Sequence, residues 1–232
     1  MFKVVKIKPI LMFLSIFMIA VLLSVGIVSV VKSDSVPKPT YTIVIDAGHG
    51  GRDNGCSGAK GTIESDINLD ITKILKEYLE TLGVDVVLTR ADKNGLYDSN
   101  VDNYKQSDME NRLKIINDAN PDMVISIHQN SFSDSSQRGA QAFYQEGDSV
   151  SLAFAESMQS QLISQLPQAR KECNDGDYYI LKECKHPSIL IECGYLTNPE
   201  EESLLSSKDY QRKVAYSIMC GVVKYFNLSG ND

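Results

Sequence analysis

The sequence contains no C-x-x-C pair, which removes the usual cysteine clip for a structural metal. Its cysteines (Cys56, Cys173, Cys184, Cys193 and Cys220) are odd in number and scattered, unlike a disulfide framework. Cys220, among Ile218, Met219 and Val222, reads as a small core residue. Histidine is scarce, with three in 232 residues, so imidazole chemistry must draw on His49, His128 and His186. No internal repeat and no low-complexity segment is present. Positive charge is also short: 23 Lys and Arg stand against 30 Asp and Glu, a formal net charge of −7. Lys3, Lys6, Lys8, Lys32 and Lys38 all precede Tyr41, so the remainder is more acidic still. That balance argues against nucleic acid or an anionic membrane surface as a partner.

What is present begins with an uncharged apolar run between Pro9 and Val31, long enough to cross a bilayer as a helix. Lys3, Lys6 and Lys8 lie before it, which puts the N-terminus in the cytoplasm. A cleaved signal peptide is the alternative, since the charged start suits one. The length of the run and the lack of an A-x-A site favour an uncleaved, single-pass anchor. On either reading the rest is exported, to stay at the cell membrane or be secreted. The expected organisation is residues 1–32 as anchor or signal sequence, 33–40 as a polar, proline-bearing linker, and 41–232 as one domain.

Strand and helix signals alternate from Tyr41 onward. Thr42 to Gly48 is an apolar run ending in glycines, the mark of a buried strand feeding a loop. Ile67, Ile71, Ile74, Leu75, Tyr78 and Leu82 recur at helical spacing, with Gly83 as a stop. Further strands are expected at Val84–Thr89, Asp122–His128, Ala140–Gln145, Tyr178–Leu181 and Pro187–Gly194. Further helices are expected from a capping box at Ser107–Glu110, over Val150–Leu166, and over Tyr210–Phe226. Ala91 to Tyr104 is polar and reads as a loop near one end of the sheet. Strands separated by helices imply an α/β fold with a mostly parallel or mixed sheet.

In such a sheet ligands bind at the carboxyl ends of the parallel strands. Strand one runs into Asp46-Ala47-Gly48-His49, strand three ends in His128-Gln129-Asn130, and the last strand ends in Ile191-Glu192. Singly, His49 reads equally as a polar turn residue and His128 as a hydrogen-bonded core histidine. Glu192 is harder to dismiss, because a carboxylate closing SILI is costly to bury unless paired, metal-bound or held for proton transfer. Catalytic zinc takes three N or O ligands and leaves a position open for water. Two histidines and one carboxylate fit that count. Spacing alone does not fix the carboxylate: Glu64 also reads as a first-turn glutamate favouring the helix dipole, and Asp46, Asp53 and Asp66 compete with it.

The ordered series IDAGHGGRDNG, Glu64-Ser-Asp-Ile-Asn68, Leu88-Thr-Arg90, Arg112 with Asn117, Ser126-Ile-His128-Gln-Asn130 and Ile191-Glu192-Cys-Gly194-Tyr-Leu-Thr-Asn198 resembles the zinc-dependent N-acetylmuramoyl-L-alanine amidases. The resemblance runs from about Thr42 to Phe226. It implies a three-layer α/β/α sandwich around a six-stranded sheet, of phosphorylase/hydrolase-like type. It also implies one Zn2+ held by His49, Glu64 and His128, and Glu192 as the catalytic acid/base. Family members kept inactive carry a helix that plugs the site, and the stretch from Ser131 to Ser151 leaves no room for one. No wall-binding repeats are present. A compact anchored domain of this kind resembles the germination-specific amidases, which act on spore cortex peptidoglycan on the way to muramic-δ-lactam. A forespore or cortex-side location follows from that likeness.

The expected reaction is hydrolysis of the amide between N-acetylmuramic acid and L-alanine, with Glu192 accepting the water's proton and passing it to the alanine nitrogen. Arg90 and Asn130 are candidate substrate contacts, although Arg90 also reads as a surface ion pair. Arg112 is expected to brace its helix, His186 to lie in a loop, and Cys193 to turn away from Glu192 as a packed thiol. Cys56 follows His49 closely enough to be an adventitious ligand. Peptidoglycan is the expected partner, with an accessory activating or targeting protein to compensate for the missing wall-binding module. The rival readings are a zinc peptidase trimming the stem peptide and a silent peptidoglycan-binding module.

Overall fold

The computed structural model describes residues 41–228 together with Phe17 and Met18. The expected anchor at Pro9–Val31, apart from those two residues, and the linker at 33–40 lie outside the described residues. Among the described residues no helix is long and apolar enough to cross a membrane.

Six strands form one sheet: β1 (Thr42–Ala47), β2 (Asp85–Leu88), β3 (Met123–Asn130), β4 (Gln141–Tyr144), β5 (Asn174–Asp175) and β6 (Ser188–Tyr195). Their spatial order is β2-β1-β3-β6-β4-β5. The first four in that order are parallel; β4 runs antiparallel to β6, and β5 pairs parallel with β4. The helices from Tyr41 onward are α1 (Glu64–Thr81), α2 (Tyr104–Ala119), α3 (Ser149–Gln165), α4 (Tyr179–Glu183), α5 (Pro199–Leu205) and α6 (Lys208–Phe226).

Alternation along the strands explains the layers. Ile43 and Ile45 of β1 point to a core shared with Ile71 and Leu75 of α1, Phe154 of α3 and Ile218 of α6. Val44, Val124 and Leu190 point the other way, onto Ile116 of α2 and Ile180 and Leu181 of α4. The central strands are thus covered on both faces, which is why they read as unbroken apolar runs. Each fully buried Ile or Leu contributes about 1.5–3 kcal/mol by leaving water. On the first face α3 and α6 cross closely at Gly221, where a Cβ would come within 2.6 Å of the Met158 sulfur.

Three local expectations are corrected. Tyr178–Leu181 is not a strand; it opens the short helix α4, which buries Ile180 and Leu181. The fifth strand is instead the exposed pair Asn174–Asp175. Helix α2 starts a turn before the Ser107–Glu110 capping box: Asn103 is its cap, accepting from the Gln106 N–H at 3.2 Å. The Ser107 hydroxyl meets Asp98 instead, donating at 3.1 Å. No helix interrupts residues 131–140 between β3 and β4.

Candidate active site

The parallel strands β1, β3 and β6 all end on one rim, and the chain turns sharply there after β1. His49 holds φ at 62°, a left-handed conformation unusual for a side chain larger than glycine's and costing of order 1–3 kcal/mol. Arg112 of α2 stabilises the turn. Its buried guanidinium donates to the carbonyls of Ala47 (2.7 Å) and His49 (2.5 Å), and pairs with Asp46 and Asp108 at 2.5 Å each. Arg112 therefore braces the ligand loop as well as its own helix. Asp46 also accepts from Thr89 and Ser126. Burial alone would raise its pKa, but Arg112 and these hydroxyls hold it at about 2.

His49, Glu64 and His128 converge from three elements. Each offers a ligand atom, and the three atoms lie within 4.8 Å of one another. Glu64 Oε1 stands 3.2 Å from His49 Nε2 and 3.0 Å from His128 Nδ1. The two imidazole rings meet edge to face, with centroids 4.9 Å apart. A Cβ on Gly48 would fall 2.3 Å from the His128 ring, so only glycine lets β1 and β3 bring these rings together. Burial would raise the Glu64 pKa, yet hydrogen bonds and charge from His128 and His49 hold it far below the usual carboxylate range. Burial pulls His49 down, and Glu64 and then Asp53 outweigh it, raising the imidazole to about 9.

A second ring of polar groups fixes this set. Glu64 accepts main-chain N–H bonds from Gln129 (3.1 Å, on Oε1) and Cys56 (2.7 Å, on Oε2). The fully buried Asn68 donates to Gly48 O (3.1 Å) and Glu64 Oε1 (3.3 Å), and accepts from the Gln129 side chain (3.1 Å). One carboxamide thus ties together all three segments that carry the converging side chains. Asp53 lies 2.9 Å from His49 Nδ1, the ring nitrogen away from Glu64. Carboxylates so placed orient metal-binding imidazoles. Neither Asn68 nor Asp53 stands out in the sequence for this role; Asn68 follows Glu64 by four residues within α1, a spacing that brings helical side chains together, whereas Asp53 is brought to His49 by the loop after β1.

The remaining candidates divide clearly. Of the competing acids, Asp46 is committed to Arg112 and Asp66 to Lys93 at the surface. Arg90 is buried, and its guanidinium donates to the carbonyls of Ala47, Gly48, Ser65 and Asp92, so it acts as a strut under the loop rather than in a surface ion pair. Asn130 lines the cavity beside the triad, with Oδ1 accepting from the Ser131 N–H. Cys56 borders the same cavity and Cys193 is packed in the core; all five cysteines are free. Cys220 is only half-buried, and His186 lies in the turn before β6.

Glu192 completes the site. It is 6% exposed, accepts from the Tyr178 hydroxyl on Oε1 (3.3 Å), and leaves Oε2 without any partner. Burial raises its pKa to about 7; His128 opposes the rise and Glu64 adds to it. A cavity of about 460 Å³ joins Glu192 and Tyr178 to His49, Glu64 and His128. The N/O donor set and the orphaned carboxyl oxygen beside it suit a catalytic metal with an open position. The fold and this convergence define a hydrolase whose site can hold a metal ion.

Comparison with known proteins gives the family. The model of the N-acetylmuramoyl-L-alanine amidase family matches residues 43–224. The germination-specific N-acetylmuramoyl-L-alanine amidase of Bacillus subtilis (strain 168) is 34% identical over 204 residues, 86% of this chain and 86% of that protein. The structure of the CwlD amidase from Clostridioides difficile in complex with the GerS lipoprotein is similar, with TM-score 0.78 and 37% identity over 82% of this chain and 100% of that one. The catalytic domain of CwlV, an amidase from Bacillus (Paenibacillus) polymyxa var. colistinus, gives TM-score 0.73 and 30% identity over 82% and 100%. The chain belongs to the N-acetylmuramoyl-L-alanine amidase family, and its reaction is hydrolysis of the muramoyl–alanine amide of peptidoglycan.

Proposed function

We propose that the amidase uses one zinc ion held by His49, Glu64 and His128, with Glu192 as its acid/base, and that its substrate is spore cortex peptidoglycan. The observation that carries the catalytic part is the convergence of three ligand atoms within 4.8 Å, beside a buried carboxyl with one unpaired oxygen. Zinc, when bound, acts as a Lewis acid on the scissile carbonyl and makes water nucleophilic near neutral pH. Glu192 then takes the proton released in the attack and delivers it to the departing alanine nitrogen. A carboxyl with a pKa of about 7 suits both halves of that transfer. Tyr178 orients Glu192 through Oε1 and leaves Oε2 facing the substrate. Asn130 is the substrate contact in this reading, which its position on the cavity wall supports.

The cortex assignment rests on likeness to the germination-specific enzyme of B. subtilis. Peptidoglycan lies outside the cytoplasm, which agrees with residues 1–32 exporting or tethering a catalytic domain at 41–232. The similar CwlD amidase was solved with the GerS lipoprotein, which supports an accessory protein for this chain as well. The test is metal analysis with digestion of cortex and vegetative peptidoglycan by the full chain. The expected result is one zinc per chain, lost in His49→Ala and His128→Ala, and preferential release of stem peptides from cortex. Equal digestion of both walls would remove the cortex assignment, and a metal-free active enzyme would remove the zinc.

A further inference from the structure

We propose that the cavity walled by Tyr97, Tyr104 and Met109 receives the peptide arm of the substrate, and that Lys105 at its rim selects a carboxylate on the residue after the alanine. The inference rests on the amidase reading and adds the part of the substrate that the site discriminates. Two unlike cavities meet at His49 and His128. One, of about 460 Å³, offers amide, hydroxyl and carboxyl groups from Gln129, Asn130, Ser131 and Glu192. The other, of about 200 Å³, is walled by Tyr97, Tyr104, Met109 and Ile180, with Lys105 on its lining; the aspartates that also line it are engaged, Asp46 and Asp108 by Arg112 and Asp53 by His49. Beyond Lys105 and Met109 a more open hollow of about 410 Å³ continues past Tyr179. The scissile amide also has two unlike arms. The muramoyl side presents hydroxyl and acetamido groups, which match the polar cavity. The peptide side begins with a methyl group and continues with an acidic residue, which matches the Tyr97, Tyr104, Met109 and Ile180 walls and the Lys105 ammonium beyond the paired aspartates.

Among the described residues lining the cavity, Lys105 is the cation outside the buried pairs, and Arg52, 5.5 Å from the Tyr97 ring centroid, lies off the lining. Arg112 also lines the cavity but is committed to Asp46 and Asp108. Lys105 Nζ is 3.6 Å from Asp53 Oδ1, and Asp53 in turn holds His49 Nδ1, so the ammonium stands one carboxylate beyond a ring of the triad. An extended peptide advances ~3.3–3.6 Å per residue, a step of the same order as the separation between Asp53 and Lys105. The Lys105 side chain is 63% exposed, so its long pair with Asp53 contributes little and leaves donors for a second carboxylate. The tyrosines are already placed: Tyr97 and Tyr104 pack edge to face at 5.5 Å, and the Tyr97 hydroxyl accepts from the Arg52 N–H.

The test compares two muramoyl dipeptides, one with a free carboxylate on its second residue and one with that group as a primary amide, using the zinc-loaded full chain. The corresponding dipeptide products serve as binding probes by calorimetry. The wild type is expected to favour the carboxylate by about tenfold in kcat/KM, mainly through KM, as a charge-assisted hydrogen bond allows. Lys105→Met should bring that ratio to about one, and Lys105→Arg should retain most of it. The ratio is taken within each variant, so a general loss of activity cannot imitate the effect. An unchanged ratio in Lys105→Met, or no carboxylate preference in wild-type dipeptide binding, would overturn the proposal. If neither dipeptide is hydrolysed it is the amidase reading that fails, and the binding ratio still decides the subsite.

Discussion

His128 and Glu192 are register partners on the adjacent parallel strands β3 and β6. Residues so paired point to the same face, so a candidate metal ligand and a proton-transfer carboxyl stand side by side on a rigid sheet. Removing only the carboxyl's acid/base capacity is therefore a clean experiment. Glu192→Gln should lower kcat by about 10²- to 10⁴-fold while zinc content and the circular dichroism spectrum stay as in the wild type. Turnover within threefold of wild type would exclude Glu192 as the proton carrier.

The pKa of Glu192 also has a consequence for stability. Burial raises it to about 7 from an ordinary 4.5, so the folded chain binds a proton that the unfolded chain has released between those values. Stability from this group is fully present below pH 4.5 and lost as pH rises through 7. The difference is roughly 3 kcal/mol at full extent. In chelator-treated protein, Glu192→Gln should therefore match the wild type in denaturant unfolding at pH 4.5 and exceed it at pH 8. His49, raised to about 9 chiefly by Glu64 and Asp53 against its burial, titrates in both proteins. A stability gap that does not grow with pH would contradict this.

Asn68 is not itself a ligand in the proposed zinc site, yet it hydrogen-bonds Glu64 and joins the segments of His49, Glu64 and His128. Asn68→Ala should weaken zinc binding by about 10- to 100-fold in competition with a chromogenic chelator, the usual effect of losing an outer-shell partner. Gln129→Met removes one of its three bonds and should shift affinity in the same direction by less. Unchanged zinc affinity in both variants would leave Asn68 with a folding role only.

Arg112→Met would strand the buried Asp46 carboxylate and free the His49 carbonyl. Breaking a buried pair by removing one partner costs about 3–5 kcal/mol, which denaturant unfolding would read directly. Asp46→Asn with Arg112→Met should recover part of the loss, because the fully buried Asp46 charge is then removed and only Asp108 is left without its ion pair.

Much of this arrangement is legible in the sequence where burial is two-sided. The runs of β1, β3 and β6 announce themselves because both faces are covered, and His49, His128 and Glu192 close or directly follow those runs. Legibility fails where the signal is short or tertiary. YYIL is apolar throughout, so four residues cannot separate a period of 2 from 3.6, and the chain is helical there. The edge strand Asn174–Asp175 is exposed and buries nothing that a pattern could reveal. Helix α5 carries a cap, a first-turn proline and acids in Asn198-Pro199-Glu200, but at seven residues it is too short to repeat an apolar period. Arg90 could not be placed from sequence, since its four acceptors are main-chain carbonyls drawn together only by the fold.

The most direct measurement is the identity of the bond cut and its dependence on metal. Peptidoglycan is digested by the full chain with zinc, with a chelator, and with zinc restored, and the products are resolved by mass spectrometry. The expected products are glycan strands with bare lactyl groups and intact stem peptides that begin with a free L-alanine, absent under chelator and restored by zinc. Cleavage within the stem peptide, or release that persists under chelator, would contradict the zinc amidase.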